Sequence, residues 1–105
     1  MINLTEANLA DVIEENELLI VDFWAEWCVP CKKFAPVMDE LDAEIAEEDE
    51  IAVCKVNVDE EPDIAVAFNI STIPAVLFIK DGEEAARLVG IQKKEALLDI
   101  IKEIM

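Results

Sequence analysis

The sequence predicts an α/β fold in which one central mixed β-sheet of about five strands is flanked on both faces by about four α-helices. Two observations support this prediction. The chain has 105 residues, of which 54% are hydrophobic and only 2 are glycine, as expected for one domain with its own core. Short apolar runs that are typical of strands covered on both faces alternate with segments that have helical periodicity.

The first half of the chain is predicted to form helix, strand and helix in turn. Glu6–Glu15 has apolar residues on one helical face, and Thr5 stands where a cap is expected. Leu18–Trp24, with sequence LLIVDFW, is an apolar run of strand length. From Pro30 onward the pattern again has helical periodicity. The apolar residues on that face are Phe34, Val37, Met38, Leu41 and Ile45.

The second half is predicted to contain a strand, a short helix, a hairpin and a last helix. Ile51–Val58 reads as a strand, and Pro62–Phe68 as a helix with proline at its first position. Ala75–Lys80 and Ala85–Val89 flank an Asp-Gly pair, which is a hairpin signal, and Lys93–Ile104 is an amphipathic helix. The predicted order is βαβαβ followed by a helix, a hairpin and a helix, and the first strand is assigned no residues.

Charge and composition exclude several classes of function. The chain has 25 acidic and 8 basic residues and a net charge of -17, which would repel nucleic acid and anionic membrane surfaces. The same charge is explained by a solvated surface without any recruitment of basic partners. We expect no targeting segment, because the first residues have neither a basic leader nor an apolar stretch, and the longest apolar run, Leu18–Val21, is too short to span a bilayer. Three cysteines is an odd number, which argues against a secreted disulfide framework, so we expect a cytoplasmic protein. The length of 105 residues predicts a single domain over 1–105.

The stretch WCVPCKKFAP, residues 27–36, contains two cysteines three positions apart. Because proline disfavours the α conformation for its predecessor, we expect Val29 to be extended and the helix to begin at Pro30. Cys28 then lies just before a helix N-terminus, whose free N–H groups and dipole favour a thiolate. Cys31 lies in the first turn, where it can bond to Cys28 and complete thiol–disulfide exchange.

Two other roles are open to the cysteines, zinc binding for the CxxC pair and regulation for Cys54. A structural zinc site normally needs four ligands, and this chain offers one CxxC pair, one distant cysteine and no histidine. Cys54 alternates with Val56 and Val58 in its strand, which favours a small core residue over a regulatory thiol.

The motifs around this stretch resemble the thioredoxin family in order and spacing over essentially the whole chain. They are VDFWAEWC, PCK, AP, KVNVDEEP, IPAVLFIKDG and VG. The chain departs from the family pattern at Val29, where glycine is usual, and at Ala75, where threonine is usual.

The resemblance implies the thioredoxin fold and a protein-disulfide reductase. Cys28 would be the attacking nucleophile and Cys31 the resolving thiol, and a thioredoxin reductase would reduce the disulfide that they form. The expected partners are disulfide-containing protein substrates and that reductase, for a monomer with no metal and no cofactor. A disulfide oxidase or isomerase, and a non-catalytic adaptor that uses the same surface, remain as alternatives.

The proton acceptor for Cys31 can only be a carboxylate, a lysine or water, because the chain contains neither histidine nor tyrosine. Asp22 is the candidate, since it interrupts an apolar strand that leads to the cysteines, and a desolvated carboxyl has a raised pKa. The alternative is that Asp22 faces solvent at the strand end. Lys55 resembles the lysine that neighbours this aspartate in the family, although it could equally be a snorkelling surface lysine.

The remaining candidate residues are expected to form an apolar surface for a partner protein. An X–Pro bond is usually trans, but the resemblance implies a cis Ile73–Pro74 bond beside the disulfide, with the Ile73 backbone free to pair with an extended substrate. The resemblance also implies that Gly90 lets a partner backbone approach closely, although the glycine could instead be only a bend after the hairpin strand. We define the docking surface as Trp27, Val29, Pro30, Ile73, Pro74, Val89, Gly90 and Ile91.

Overall fold

A five-stranded mixed sheet lies at the centre of the computed structural model, which describes residues 1–105. The strands are β1 (Ile2–Asn3), β2 (Leu18–Trp24), β3 (Ile51–Asn57), β4 (Ala75–Lys80) and β5 (Glu83–Val89). The helices are α1 (Leu9–Glu15), α2 (Val29–Glu44), α3 (Pro62–Ala67) and α4 (Lys94–Ile104). This is the predicted α/β architecture, and β1 is the strand to which the sequence patterns assign no residues.

The strand order is β1-β3-β2-β4-β5. β1, β3 and β2 are parallel, whereas β4 runs antiparallel to β2 and β5 antiparallel to β4. β2 is therefore central, and the residues from Leu18 to Phe23 are all buried. The carboxyl end of this central strand leads directly into the loop that carries the two cysteines.

Alternation along β2 divides the core into two clusters, one on each face of the sheet. Leu19, Val21 and Phe23 pack with α1 and α3 residues such as Val12 and Ile64. Leu18 and Ile20 face the opposite way, toward α2 and α4. They pack against Phe34, Met38, Leu41, Leu97 and Ile101. Asp22 continues this second set, so its carboxyl points to the same side of the sheet as α2.

The start of α2 differs from the sequence prediction by one residue. The helix begins at Val29, and the extended residue is Cys28, with φ -89° and ψ 104°. The Lys32 N–H donates to the Cys28 carbonyl at 3.2 Å and closes the first turn. Pro30 at the second helical position loses no hydrogen bond, because N–H groups there have no partner within the helix. The preference against a helical Val29 is thus overcome, and the expectation that this residue is extended was wrong.

Two local signals are confirmed with small shifts. α1 begins at Leu9, but Thr5 does cap the turn before it: Thr5 Oγ1 accepts from the Asn8 N–H at 3.3 Å, and Asn8 Oδ1 accepts from the Thr5 N–H at 2.8 Å. Asp81 and Gly82 both have positive φ, 51° and 83°, as a type I′ hairpin turn requires. No helix of the chain is both long and apolar enough to cross a membrane.

Candidate functional site

The two cysteines form a disulfide at the N-terminus of α2. Cys28 and Cys31 are bonded, with their Cα atoms 5.2 Å apart. Cys28 is the N-cap residue, and its Sγ accepts a hydrogen bond from the Cys31 N–H at 3.2 Å. In the reduced protein, a Cys28 thiolate in this position would accept the same hydrogen bond and would lie at the positive end of the helix dipole.

Exposure does not distinguish the two sulfurs, but their surroundings do. Cys28 is 4% exposed and Cys31 3%. Only Cys28 occupies the cap position, and its Sγ lies 4.0 Å from the Ile73 carbonyl oxygen at the edge of the docking surface. The geometry therefore favours Cys28 as the sulfur that meets a partner.

The docking surface exposes large apolar side chains around Cys28. Trp27 is 67% exposed, Val29 60%, Val89 51% and Ile91 50%. Exposed apolar groups gathered around a reactive disulfide are typical of a site for another protein. Pro30, at the second position of α2, is also exposed.

A hydrogen bond that the sequence did not predict orients Trp27. Its indole Nε1 donates to Asp59 Oδ2 at 2.8 Å. Asp59 is itself held in a turn, since its N–H donates to Asn57 Oδ1 at 2.9 Å. The asparagine two residues before Asp59 is a signal for such an Asx-turn, but nothing in the sequence connects that turn to Trp27.

The Ile73–Pro74 bond is cis, as the resemblance implies. Pro74 is buried, and its carbonyl accepts from the Gly90 N–H at 2.8 Å, which joins the two loops of the docking surface. Gly90 has φ +90°, and a Cβ added there would meet no atom within 4 Å. Glycine is thus required by the backbone conformation, and the space above it is open to a partner.

Asp22 is buried and does not face solvent. Its side chain is 5% exposed, and Oδ1 has no hydrogen-bond partner. Burial raises its pKa from 3.8 to about 7, and the positive charge of Lys55 partly opposes that rise. A carboxyl with such a pKa is close to half ionised at neutral pH.

Lys55 lies directly across from Asp22 in the pairing of β2 with β3. Its ammonium stands over the Trp24 ring, 5.5 Å from the centroid, and forms no salt bridge within 4 Å. Lys55 thus neighbours Asp22, as the resemblance implies, and its ammonium makes a cation–π contact with the Trp24 ring. Trp24 is half-buried.

A cavity of about 190 Å³ connects these groups to the disulfide. Asp22, Lys55, Trp24 and Cys31 all line it. Its volume is sufficient for water, so a proton could pass between Cys31 and Asp22 without direct contact of the two side chains. The buried Trp24 Nε1, which has no partner within the chain, is a donor available to such water.

Cys54 is remote from this chemistry. It is fully buried among the residues between the sheet and α1, and burial raises its pKa to about 12. The prediction of a small core residue is confirmed. No cluster of three or more histidine, cysteine or carboxylate side chains is arranged to hold a metal ion.

Comparison with known proteins agrees with this geometry. The family model described as Thioredoxin matches residues 1–103. A thioredoxin of Rickettsia typhi is 38% identical over 102 residues, which are 96% of this chain and 95% of that protein. A thioredoxin of Mycobacterium bovis is 40% identical over 105 residues, which are 99% of this chain and 89% of that protein.

Solved structures show the same relationship. A Plasmodium falciparum thioredoxin superposes with a TM-score of 0.87 at 33% identity, and the match covers 100% of both chains. The matched region includes the disulfide at the helix N-terminus and the strands that place Asp22 and Pro74 around it. The chain therefore belongs to the thioredoxin family and is a thiol–disulfide oxidoreductase.

Proposed function

We propose that this protein reduces disulfide bonds in other proteins of the cytoplasm, as a single domain over residues 1–105 and as a monomer. The observation that carries the proposal is the position of Cys28. Its sulfur combines the hydrogen bond from the Cys31 N–H with a place beside the Ile73 carbonyl of the docking surface. One sulfur is thus both activated by the helix terminus and presented to a partner.

The reaction has two exchange steps. The Cys28 thiolate attacks one sulfur of the substrate disulfide, and the other substrate sulfur leaves as a thiolate. Cys31 then loses its proton and attacks the Cys28 sulfur, which releases the second substrate thiolate and forms the Cys28–Cys31 disulfide. The substrate has gained two electrons, and a thioredoxin reductase would return two electrons to the protein.

Asp22 is proposed to take the proton of Cys31 in the second step. A base is most effective when its pKa lies near the working pH, and burial raises the pKa of Asp22 to about 7. The shared cavity provides the path for that proton through water. Lys55 would tune the pKa of Asp22 and would not itself touch the substrate.

The docking surface is proposed to bind the backbone and apolar side chains of the partner. Trp27, Val29, Pro30, Val89 and Ile91 would provide apolar contact. The backbone of Ile73 beside Pro74 would pair with an extended segment, and Gly90 would admit its backbone. Nucleic acid and membrane surfaces are not expected partners of a chain with net charge -17. The proposed chemistry requires no metal or cofactor.

The division of labour between the two thiols can be tested by trapping. Cys31→Ser should accumulate a mixed disulfide with a peptide cyclised through one disulfide, because the resolving thiol is missing. Cys28→Ser should form none. Intact-mass measurement after mixing distinguishes these outcomes, and equal trapping by both variants would contradict the assignment.

A redox titration distinguishes a reductant from an oxidase. We expect glutathione disulfide to oxidise the Cys28–Cys31 dithiol readily, and a moderate excess of glutathione to leave the pair oxidised. A pair that glutathione reduces almost completely would instead indicate an oxidase or isomerase.

A further inference from the structure

The loop between α3 and β4 brings a free stretch of backbone to the disulfide. Ser71, Thr72 and Ile73 make no backbone hydrogen bond within the chain, and Ser71 and Thr72 are exposed. Ile73 is the residue whose carbonyl oxygen lies 4.0 Å from Cys28 Sγ. The position of this Ser71–Ile73 loop relative to Cys28 therefore depends on what holds its two ends.

Both ends of the loop are tied to β5 or to the residue that follows it. At the far end, the Gly90 N–H donates to the Pro74 carbonyl at 2.8 Å. At the near end, Arg87 Nη1 donates to the Asn69 carbonyl at 3.0 Å, and Arg87 Nη2 donates to the Phe68 carbonyl. The loop thus lies between two attachments, Arg87 in β5 and Gly90 just after it, which are three residues apart in the chain.

Arg87 is itself held in a fixed orientation. Its Nε donates to Glu84 Oε2 at 2.9 Å and its Nη2 to Glu84 Oε1 at 2.8 Å, in a two-pronged ion pair. A planar guanidinium can satisfy a carboxylate on one side and carbonyl oxygens on the other, which a lysine ammonium cannot do with the same geometry. Arg87 is the single arginine of the chain.

A purely structural role would be a cap on α3. The Phe68 and Asn69 carbonyls follow the last turn of that helix, where a positive charge is favourable. Two other features support this segment: Ile70 and Ile73 lie against the core, and the Ile70 N–H donates to the Ala65 carbonyl at 2.9 Å. A cap alone, however, would affect stability and would not affect different disulfide substrates differently.

We propose that Arg87 is a positioning residue for protein substrates: it ties the start of the Ser71–Ile73 loop to β5 and so holds the Ile73 backbone where an extended substrate segment can pair with it beside Cys28. This inference rests on the proposed function. Reaction with a protein disulfide depends both on the Cys28 sulfur and on pairing of the substrate with the Ile73 backbone. A small disulfide needs only the sulfur, so its reaction does not depend on the loop.

The test uses Arg87→Met with Lys80→Met as the matched control. Lys80 is on the same hairpin and also contacts two acceptors, Glu17 at 3.1 Å and Asp81 at 3.0 Å, but at the end remote from the disulfide. Single-turnover oxidation of each reduced variant is measured against two probes, a peptide cyclised through one disulfide and 2-hydroxyethyl disulfide. A series of probe concentrations separates the half-saturating concentration from the limiting rate.

For Arg87→Met, we expect the half-saturating peptide concentration to rise about tenfold, the effect of losing about one charge-assisted hydrogen bond. The limiting rate and the reaction with 2-hydroxyethyl disulfide should stay within about twofold of the parent values. Lys80→Met should leave all of these quantities unchanged. Arg87→Lys should lie between the parent and Arg87→Met, because it keeps the charge without the planar fork.

A second readout does not depend on catalysis. Backbone ¹⁵N order parameters should fall for Ser71, Thr72 and Ile73 in Arg87→Met and should be unchanged in Lys80→Met. If Arg87→Met does not fold, Glu84→Gln provides a milder variant, in which the ion pair is weakened and the same changes should follow with smaller size.

Each outcome decides the proposal. Equal losses with both probes, an unchanged half-saturating concentration, or unchanged order parameters in Arg87→Met and Glu84→Gln would overturn the positioning role. If the peptide oxidises the reduced parent protein and oxidises Arg87→Met with the same half-saturating peptide concentration, only this inference fails. If the reduced parent does not react with the peptide at all, the proposed function fails and takes this inference with it.

Discussion

Replacement of Asp22 by asparagine removes a buried group whose ionisation opposes folding. In the unfolded chain the carboxyl titrates at its ordinary value of 3.8, whereas burial raises its pKa in the folded protein to about 7. Between these two values the unfolded state binds fewer protons than the folded state. The free energy of unfolding therefore falls as pH rises from 3.8 to about 7. The contribution that Asp22 makes to this free energy is fully present below pH 3.8 and is lost above about pH 7.

The size of the effect follows from the pKa shift. The shift from 3.8 to about 7 spans about three pH units, and each unit corresponds to about 1.4 kcal/mol. Ionised Asp22 should thus cost the folded state about 4 kcal/mol at about pH 8. Asparagine has nearly the same shape and no charge, and it replaces a side chain whose Oδ1 already lacks a partner. Asp22→Asn should be more stable than the parent by about 4 kcal/mol at about pH 8 and by almost nothing at about pH 4.

Urea unfolding of the oxidised proteins over this pH range measures the difference directly. Asp39→Asn is a suitable control, since Asp39 lines the same cavity but is exposed, and its replacement changes the net charge equally. The control should track the parent at every pH. A stability gain in Asp22→Asn that does not vary with pH would refute the reasoning, because a gain from packing or hydrogen bonding would not titrate.

Three further predictions concern single residues. Lys55→Met should raise the pKa of Asp22 further, because the ammonium lowers it, so the fall in stability with pH should extend above about pH 7; a fall that ends at lower pH would contradict this effect. Val29→Gly should lower the free energy of unfolding by about 0.5–1 kcal/mol, because glycine has more freedom in the unfolded chain and is unfavourable in a helix. If Val29→Gly changes the stability of the oxidised and reduced forms by amounts that differ by about 1 kcal/mol, the reduction potential should shift by about 20 mV. A variant more stable than the parent, or a reduction potential shifted by about 100 mV in redox equilibration, would show that Val29 acts through another mechanism. Burial raises the pKa of Cys54 to about 12, so an alkylating reagent at about pH 8 should modify it only in urea; rapid modification of the folded protein, seen by intact mass, would show that β3 opens.

Much of the fold could be predicted because its signals are local. The apolar run at Leu18–Trp24 and the helical periodicity after Pro30 depend on residues that are neighbours in sequence. The Asp81-Gly82 turn is set by backbone preferences of those two residues alone. The error at Val29 has the same origin, since a local preference was weighed without the hydrogen bonds that form around a complete helix N-terminus.

The central features of the candidate site were also accessible, because they are properties of a short segment. Cys28 and Cys31 lie three residues apart, and the turn of a helix brings such residues together in any fold. The raised pKa of Asp22 could be expected in direction, since it is an acidic residue within an apolar strand. The value of that pKa could not be predicted from the sequence, because it depends on how fully α2 covers the carboxyl and on where the Lys55 charge lies.

Local sequence patterns predict the order of helices and strands after β1 and the pair of cysteines at a helix N-terminus, because both depend on residues that are neighbours in the chain. Tertiary structure alone decided which distant residues meet around them. Trp27 and Asp59 are 32 positions apart, and Arg87 reaches the Phe68 carbonyl across 19 positions. The strand order β1-β3-β2-β4-β5 creates these contacts. Hydrogen bonds of this kind depend on positions within a few tenths of an ångström, whereas composition and periodicity constrain only which face of an element is buried.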